Sequence, residues 1–291
     1  MERLLTLKKR EYLKDLKSYG ITGVIVGSRI FSTRYNFDLR EQEEIAKECR
    51  EYGLDLYISI DTMIEERKLV YLDDYLEHIR CIEAKGIYYA DLAVLKMAKD
   101  KKMDVELIYD PGSIMTNSLD ANFYLTEGND RVVAARELTL AEVIAMTEHT
   151  NHRVDMQIFG YLKASTSKRK FLTNYFKHVG KDFNPYKKEN LRIVEETRDY
   201  DMPIYENSYG TQIYTDYCLI TYQEKTLLDE KINRGIIDDN FLSEEELFTV
   251  LADYQNLNAD NAAELENALK ERFNKRVFDS GYLYQKTNIM K

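Results

Sequence analysis

Short apolar, β-branched runs alternate along this chain with amphipathic stretches of helical length, the pattern of repeated βα units that feed a parallel sheet. Ile21–Val26 is the first such run, followed by a helix over Leu39–Tyr52 that Gly53 closes, since glycine takes the left-handed conformation at little cost. Leu54–Ile60 and a helix over Leu72–Lys85 repeat the unit up to Gly86. Ile87–Ala90 with Leu92–Lys101, Val105–Tyr109 with Leu119–Thr126, and Arg131–Ala135 with a helix reaching His149 continue it. Asp91 and the capping box Thr139/Glu142 mark two of the helix starts. Met156–Phe159 is a sixth strand.

The regular pattern stops at Gly160, and a basic lobe is inserted over about 161–192. Beyond it, Pro203–Glu206 and Thr211–Tyr214 flank a turn, and a helix over Asp216–Arg234 completes a seventh unit; Ile236–Asp238 with Ser243–Tyr254 is the eighth. Eight units predict an α/β fold, a (β/α)8 barrel of the TIM type forming a single domain over 1–291. Leu4–Leu16 reads as a helix closing the barrel bottom, and a C-terminal helix and tail occupy about 259–291. An open doubly wound sheet fits less well. The first strand exits as Val26-Gly27-Ser28-Arg29-Ile30, without the glycine spacing that cradles a pyrophosphate.

A barrel carries its chemistry on the loops after the strands. Those positions hold Arg29 and Arg34, Asp61, Asp91, Asp110 and Asn117, Arg136 and Glu137, Tyr161 and Lys163, and Asp238 and Asp239. For Asp61, Asp91 and Asp238 a plain helix-capping role competes with a functional one. Arg136 and Glu137 end one strand together, so their side chains leave on opposite faces and one of them faces the barrel axis; the pattern leaves open which. A structural pair with a neighbouring carboxylate is the competing reading for Arg136.

Composition narrows the classes. With 51 acidic against 41 basic side chains the chain carries −10 at pH 7, which opposes gross attraction to nucleic acid or anionic membranes. One stretch contradicts that average: Lys163, Lys168, Arg169, Lys170, Lys177, Lys181, Lys187 and Lys188 face a single acid, Asp182, and are interleaved with Phe171, Tyr175, Phe176, Phe183 and Tyr186. Such a surface pairs phosphates with lysine and stacks bases on rings, the alternative being a solvated lobe with a small core of its own. Cys49, Cys81 and Cys218 show neither disulfide nor zinc spacing, and neither a signal-like apolar run nor a membrane span is visible, so a reducing cytoplasm is expected. His78, His149, His152 and His178 fall on helices or polar loops, and no nucleophile elbow or His-Glu-x-x-His motif is present.

Ala135-Arg136-Glu137-Leu138-Thr139-Leu140 resembles the "ARELSL" motif of peptidase family U32, the collagenase-like peptidases. Val26-Gly27 with Phe31-Ser32 and Arg34, Tyr57–Thr62, Thr116-Asn117-Ser118, Met202–Glu206 with Tyr209-Gly210-Thr211, and Ser280–Tyr284 are similar to further family segments in the same order. The match covers nearly the whole chain, and the short length resembles the smaller of two paralogues often found together in Firmicutes. The resemblance implies a barrel-like fold, a peptidase label and, in some members, RNA or quinone hydroxylation linked to an iron-sulfur cluster. Here the family's Gly-x-x-Cys-x-Ser-x-Ser-Gly-x-Cys segment is replaced by Gly160–Lys170, which contains no cysteine. Cys218 resembles a remaining ligand, and one thiolate cannot hold four irons. The family's Lys-Ile-Glu-Gly is reduced to Ile237-Asp238-Asp239-Asn240.

The expectation is therefore a subunit without cluster or metal that acts with a longer U32 paralogue in 5-hydroxylation of the tRNA wobble uridine, with prephenate as cosubstrate and no membrane partner. Arg136 and Glu137 are its candidate catalytic residues. Arg29, Arg34, Asp61, Asn117 and Asp238 are candidate substrate contacts, Arg136 with Arg29 or Arg34 holding a carboxylate, and Lys163, Lys168, Arg169 and Lys170 grip RNA phosphates. A collagenase-like peptidase and a non-catalytic binding scaffold are the rivals.

Overall fold

The computed structural model describes residues 1–33, 36–182, 184, 191–194, 196 and 201–285; Arg34, Phe183, Tyr186, Lys187 and Lys188 lie outside the described residues. Strands β1 (Glu2–Thr6), β2 (Gly23–Ser28), β3 (Asp55–Ile60), β4 (Gly86–Tyr89), β5 (Glu106–Tyr109), β6 (Arg131–Val133) and β7 (Val154–Ser167) follow one another in space. Strands β8 (Met202–Asn207) and β9 (Gly210–Ile220) form a hairpin, and β10 (Arg234–Ile237) pairs in parallel with both β7 and β1. The order β10-β1-β2-β3-β4-β5-β6-β7-β10 closes an eight-stranded parallel barrel. Helices α1 (Leu39–Tyr52), α2 (Leu69–Cys81), α3 (Leu92–Asp100), α4 (Ser118–Thr126) and α5 (Leu140–Glu148) return the chain between strands. After α6 (Phe171–His178) and α7 (Lys225–Lys231), α8 (Glu244–Asn256) and α9 (Ala262–Arg272) end the helical layer. No helix among the described residues is long and apolar enough to cross a membrane.

The barrel has the predicted eight strands, but two units are assigned differently. Glu2–Thr6 is a barrel strand, not the start of a helix over Leu4–Leu16; only short turns at Arg10–Tyr12 and Leu13–Leu16 are helical. Leu4, Leu5 and Leu7 are all fully buried, Leu4 toward the barrel axis and Leu5 toward the helices, so the segment lacks the polar alternation that marks a half-exposed strand. The predicted seventh unit is no βα unit either. Asp216–Ile220 continues strand β9, and only Lys225–Lys231 of the expected helix is helical.

Strand β7 runs on where the sequence pattern stops. Up to Phe159 it is a barrel strand beside β6 and β10; from there to Ser167 it pairs antiparallel with β9. Gly160 makes the passage, at φ +108 and so close to the exit of β10 that a Cβ would lie 2.2 Å from the Asp238 carbonyl oxygen. The arm made of β7, β9 and β8 is thus covalently continuous with the barrel wall.

Inside the barrel, Leu4, Ile25, Tyr57, Tyr88, Ile108, Val133 and Ile236 form one apolar layer. At the N-terminal ends of the strands lies a buried ion network. Arg234 donates to Glu2 (3.0 Å) and Glu106 (3.1 Å) and lies 3.7 Å from Asp155, which also binds Arg131 and accepts from the Tyr88 hydroxyl at 2.6 Å. Burial pushes the Asp155 carboxyl up from its ordinary range, while Arg131 and Arg234 pull it down. Removing this carboxylate leaves the Arg131 guanidinium without an acid and takes one of three acids from Arg234. Asp155→Ala should lose about 3–5 kcal/mol of stability in urea unfolding, and a loss below about 1 kcal/mol would show that the network is not holding the barrel base.

Candidate functional site

At the opposite end, β3, β5, β6, β7 and β10 deliver charged groups to the mouth. Ala134 and Ala135 bring Arg136 over the end of β6, where it donates to the Gly112 carbonyl (2.9 Å) and lies 3.4 Å from Asp110 after β5. Burial disfavours its charge, yet Asp110 and Asp238 outweigh that and raise its pKa. Arg136 is thus the residue that turns to the mouth, and Glu137 is exposed. Asp238, after β10, accepts from the Asn240 backbone (2.8 Å) and side chain (2.9 Å).

Lys163 and Asp61 form the second pair, 3.1 Å apart, with side chains 22% and 23% exposed. Thr33 also binds Asp61, through its backbone N–H (2.7 Å) and its hydroxyl. Burial would push the Asp61 carboxyl up, but Lys163 and Thr33 hold it below its usual range. Burial likewise opposes the Lys163 charge, and Asp61 more than restores it. Lys163 therefore anchors the arm to the rim; it is not a free phosphate grip.

The arm lies across the mouth as a three-stranded cover. Tyr214 of β9 is opposite Lys163 of β7, and Gln212, two residues along, shares its face and is opposite Tyr205 of β8. Asn207, on that same face, donates to the Thr33 carbonyl (2.6 Å), and the Tyr209 hydroxyl donates to the Arg29 carbonyl (2.9 Å). The covered face is therefore the one turned to the rim loops. The other face holds α6. Glu206, fully buried, accepts from the Leu172 N–H (2.7 Å), the Thr173 N–H (3.2 Å), the Thr173 hydroxyl and the Thr211 hydroxyl (3.0 Å). A carboxylate at a helix N-terminus is favoured by the free amides there, so Glu206 fixes the basic helix to the hairpin.

The remaining predicted residues divide. Lys168, Arg169 and Lys170 are exposed where β7 turns into α6. Arg29 is exposed and occupied by Glu41 (3.3 Å) and Asp38 (3.5 Å) at the start of α1. Asn117 caps α4, accepting from the Leu119 and Asp120 N–H groups at 3.0 Å each. Asp91 caps α3 in the same way. Sequence reasoning gave Glu206 and Gln212 no role; a carboxylate and an amide beside Ile204-Tyr205 and Ile213-Tyr214 were the available signal.

The donors present do not fit an iron-sulfur cluster. Cys49, Cys81 and Cys218 stand on α1, α2 and β9, and burial pushes both the Cys49 and the Cys218 thiol up to about 12. Among the described residues, no three His, Cys, Asp or Glu side chains are arranged to hold a metal ion.

The sequence profile of peptidase family U32 matches residues 8–291. The chain belongs to this family. It is 26% identical to tRNA hydroxylation protein P2 of Bacillus subtilis (strain 168), over 98% of this chain and 98% of that protein. Protein P1 of the same organism is 28% identical over 57% of this chain, a stretch that spans 40% of P1. Among solved structures, the U32 peptidase Mk0906 superposes with a TM-score of 0.53 at 17% identity, covering 82% of this chain and 92% of that one, which places the barrel among the folds of the family.

The Lys163–Asp61 pair has a pH signature. The depressed Asp61 pKa adds stability that is present above the unfolded carboxylate pKa of about 3.9 and is lost as pH falls through the folded value. The raised Lys163 pKa adds stability that persists up to about pH 10 and is lost as pH rises through the folded value. Wild-type stability from this pair should therefore be flat between about pH 5 and 9. In Lys163→Met the burial of Asp61 is opposed only by Thr33, so its carboxyl moves up and stability should fall as pH rises above about 4; a variant with a flat profile in urea melts would show that Asp61 does not depend on Lys163.

Proposed function

We propose that this chain works in tRNA hydroxylation as the subunit that holds the RNA, with the oxidising centre supplied by a longer U32 relative. The observation that carries the proposal is the end-to-end correspondence with tRNA hydroxylation protein P2, 98% of each chain. P1, a longer protein of the same organism, matches over part of its length and is the natural candidate type for the second subunit. The site supports this reading in two ways. Lys168, Arg169 and Lys170 stand exposed ahead of a helix with exposed Phe171 and Tyr175, a combination suited to phosphates and unstacked bases. The mouth beside them offers Arg136 and Lys163 as cations, and a carboxylate cosubstrate such as prephenate would have to displace Asp110 or Asp61 to reach them.

Hydrolysis of peptides finds less support in the geometry. An activated nucleophile needs a base in reach. His149 is bound to the Ala145 carbonyl, His152 to the Lys231 carbonyl, and His78 is stacked on Tyr75, all on the outer helices or at the barrel base, while His178 is exposed at the far end of α6. Cys218 is a buried thiol whose pKa is raised.

Nucleoside mass spectrometry of tRNA from a deletion strain should show loss of 5-hydroxyuridine derivatives, restored by the wild-type gene and not by Arg136→Ala; unchanged levels on deletion would sink the proposal. With purified chain, replacing Lys168, Arg169 and Lys170 together by Ala should flatten the log-affinity against log-salt slope for single-stranded RNA by about 2 units. An unaltered slope would place the phosphate contacts elsewhere.

A further inference from the structure

Gln212 is fully buried, yet neither its amide oxygen nor its amide nitrogen has a hydrogen-bond partner. A buried amide left unpaired is costly, and such groups are rare in folded proteins. Its place is informative. Gln212 lies on the covered face of the arm, two residues from Tyr214, whose hydroxyl lies near enough to Lys163 and Arg136 to act on the charge of both. Across the mouth, the Arg136 Nε is also buried without a hydrogen bond. Two walls of one site thus hold polar atoms in reserve.

The ligand chemistry follows from what is present. Lys163 and Arg136 already face Asp61, Asp110 and Asp238, so a neutral group is the ligand that enters this site without displacing one of these pairs. A primary amide presents one acceptor and one donor side by side, and its complement is a neutral edge with a donor next to an acceptor. RNA bases carry such edges, and glutamine pairs with them bidentately.

We propose that Gln212 is the base-reading residue of this site: it pairs with the hydrogen-bonding edge of a single RNA base, turned out of its stack and held beneath the β8–β9 hairpin. The inference rests on the RNA-holding function proposed above and names the group that contacts the base. Because the hairpin covers the amide, the base reaches it when the hairpin tip lifts from the rim, where Asn207 and Tyr209 each hold it by one hydrogen bond.

The test uses Gln212→Met, which keeps the length of the side chain and removes both polar atoms. In the complemented deletion strain, hydroxylated nucleoside should fall roughly tenfold, the loss of one bidentate base contact. The purified variant should bind tRNA more weakly, by no more than the same roughly tenfold, and melt about 2–4 °C higher, because an unpaired buried amide has been removed. Full hydroxylation by Gln212→Met overturns the proposal, and so does a lower melting temperature, which would mean the amide has structural partners. If the wild-type gene itself restores nothing, the RNA-holding function falls and takes the base-reading role with it. Wild-type rescue with a silent Gln212→Met refutes the base-reading role alone.

Discussion

The structure turns on one close passage. At Gly160, strand β7 crosses the exit of β10 so tightly that its backbone and the Asp238 carbonyl leave no room for a Cβ. Below that point β7 is a parallel barrel strand; above it, it is the first strand of an antiparallel arm. A single strand serving two sheets converts barrel rigidity into arm position. Lys163, three residues past the glycine, is thereby carried back over the mouth to Asp61.

Two ion networks bracket the barrel, and they differ in what surrounds them. At the base, Arg234 and Asp155 are almost completely buried and mutually satisfied, with Glu2, Glu106, Arg131 and Tyr88 completing the set. That network plugs the barrel below its apolar layer. At the mouth, the pairs Asp61–Lys163 and Asp110–Arg136 retain some exposure, and unpaired polar atoms remain at Gln212 and Arg136. The first arrangement is closed off by the chain itself; the second is partly reached by solvent.

Much of this was legible beforehand. The βα rhythm gave the barrel and its eight-strand count, and the capping box at Thr139 forms as written. Arg136 and Asp61 were found because a charged residue directly after an apolar strand must emerge at the mouth. The reading failed where burial is two-sided. Leu4–Leu7 and Cys218–Ile220 are buried on both faces, so they carry no alternation, and leucine or mixed composition there passes for helix. Asn117 and Arg29 were placed at the right end of the barrel but are used up by helix starts, a local competition that spacing cannot decide.

By itself the sequence determined the class of fold, the polar character of the barrel mouth and the presence of a basic aromatic segment, because each of these is a property of periodicity or composition along the chain. The tertiary structure alone decided which cations are buried against an acid and which stand at the surface. Lys163 and Lys168 are five residues apart and alike in sequence, yet one is held in the mouth against Asp61, 102 positions away, and the other stands exposed, 3.8 Å from Glu65. It also decided that Glu206 fixes the basic helix and that Gln212 is left without partners. Both outcomes depend on which faces of distant strands come together, and pairing across a sheet is set by the closed geometry of the barrel and its arm, not by local preference.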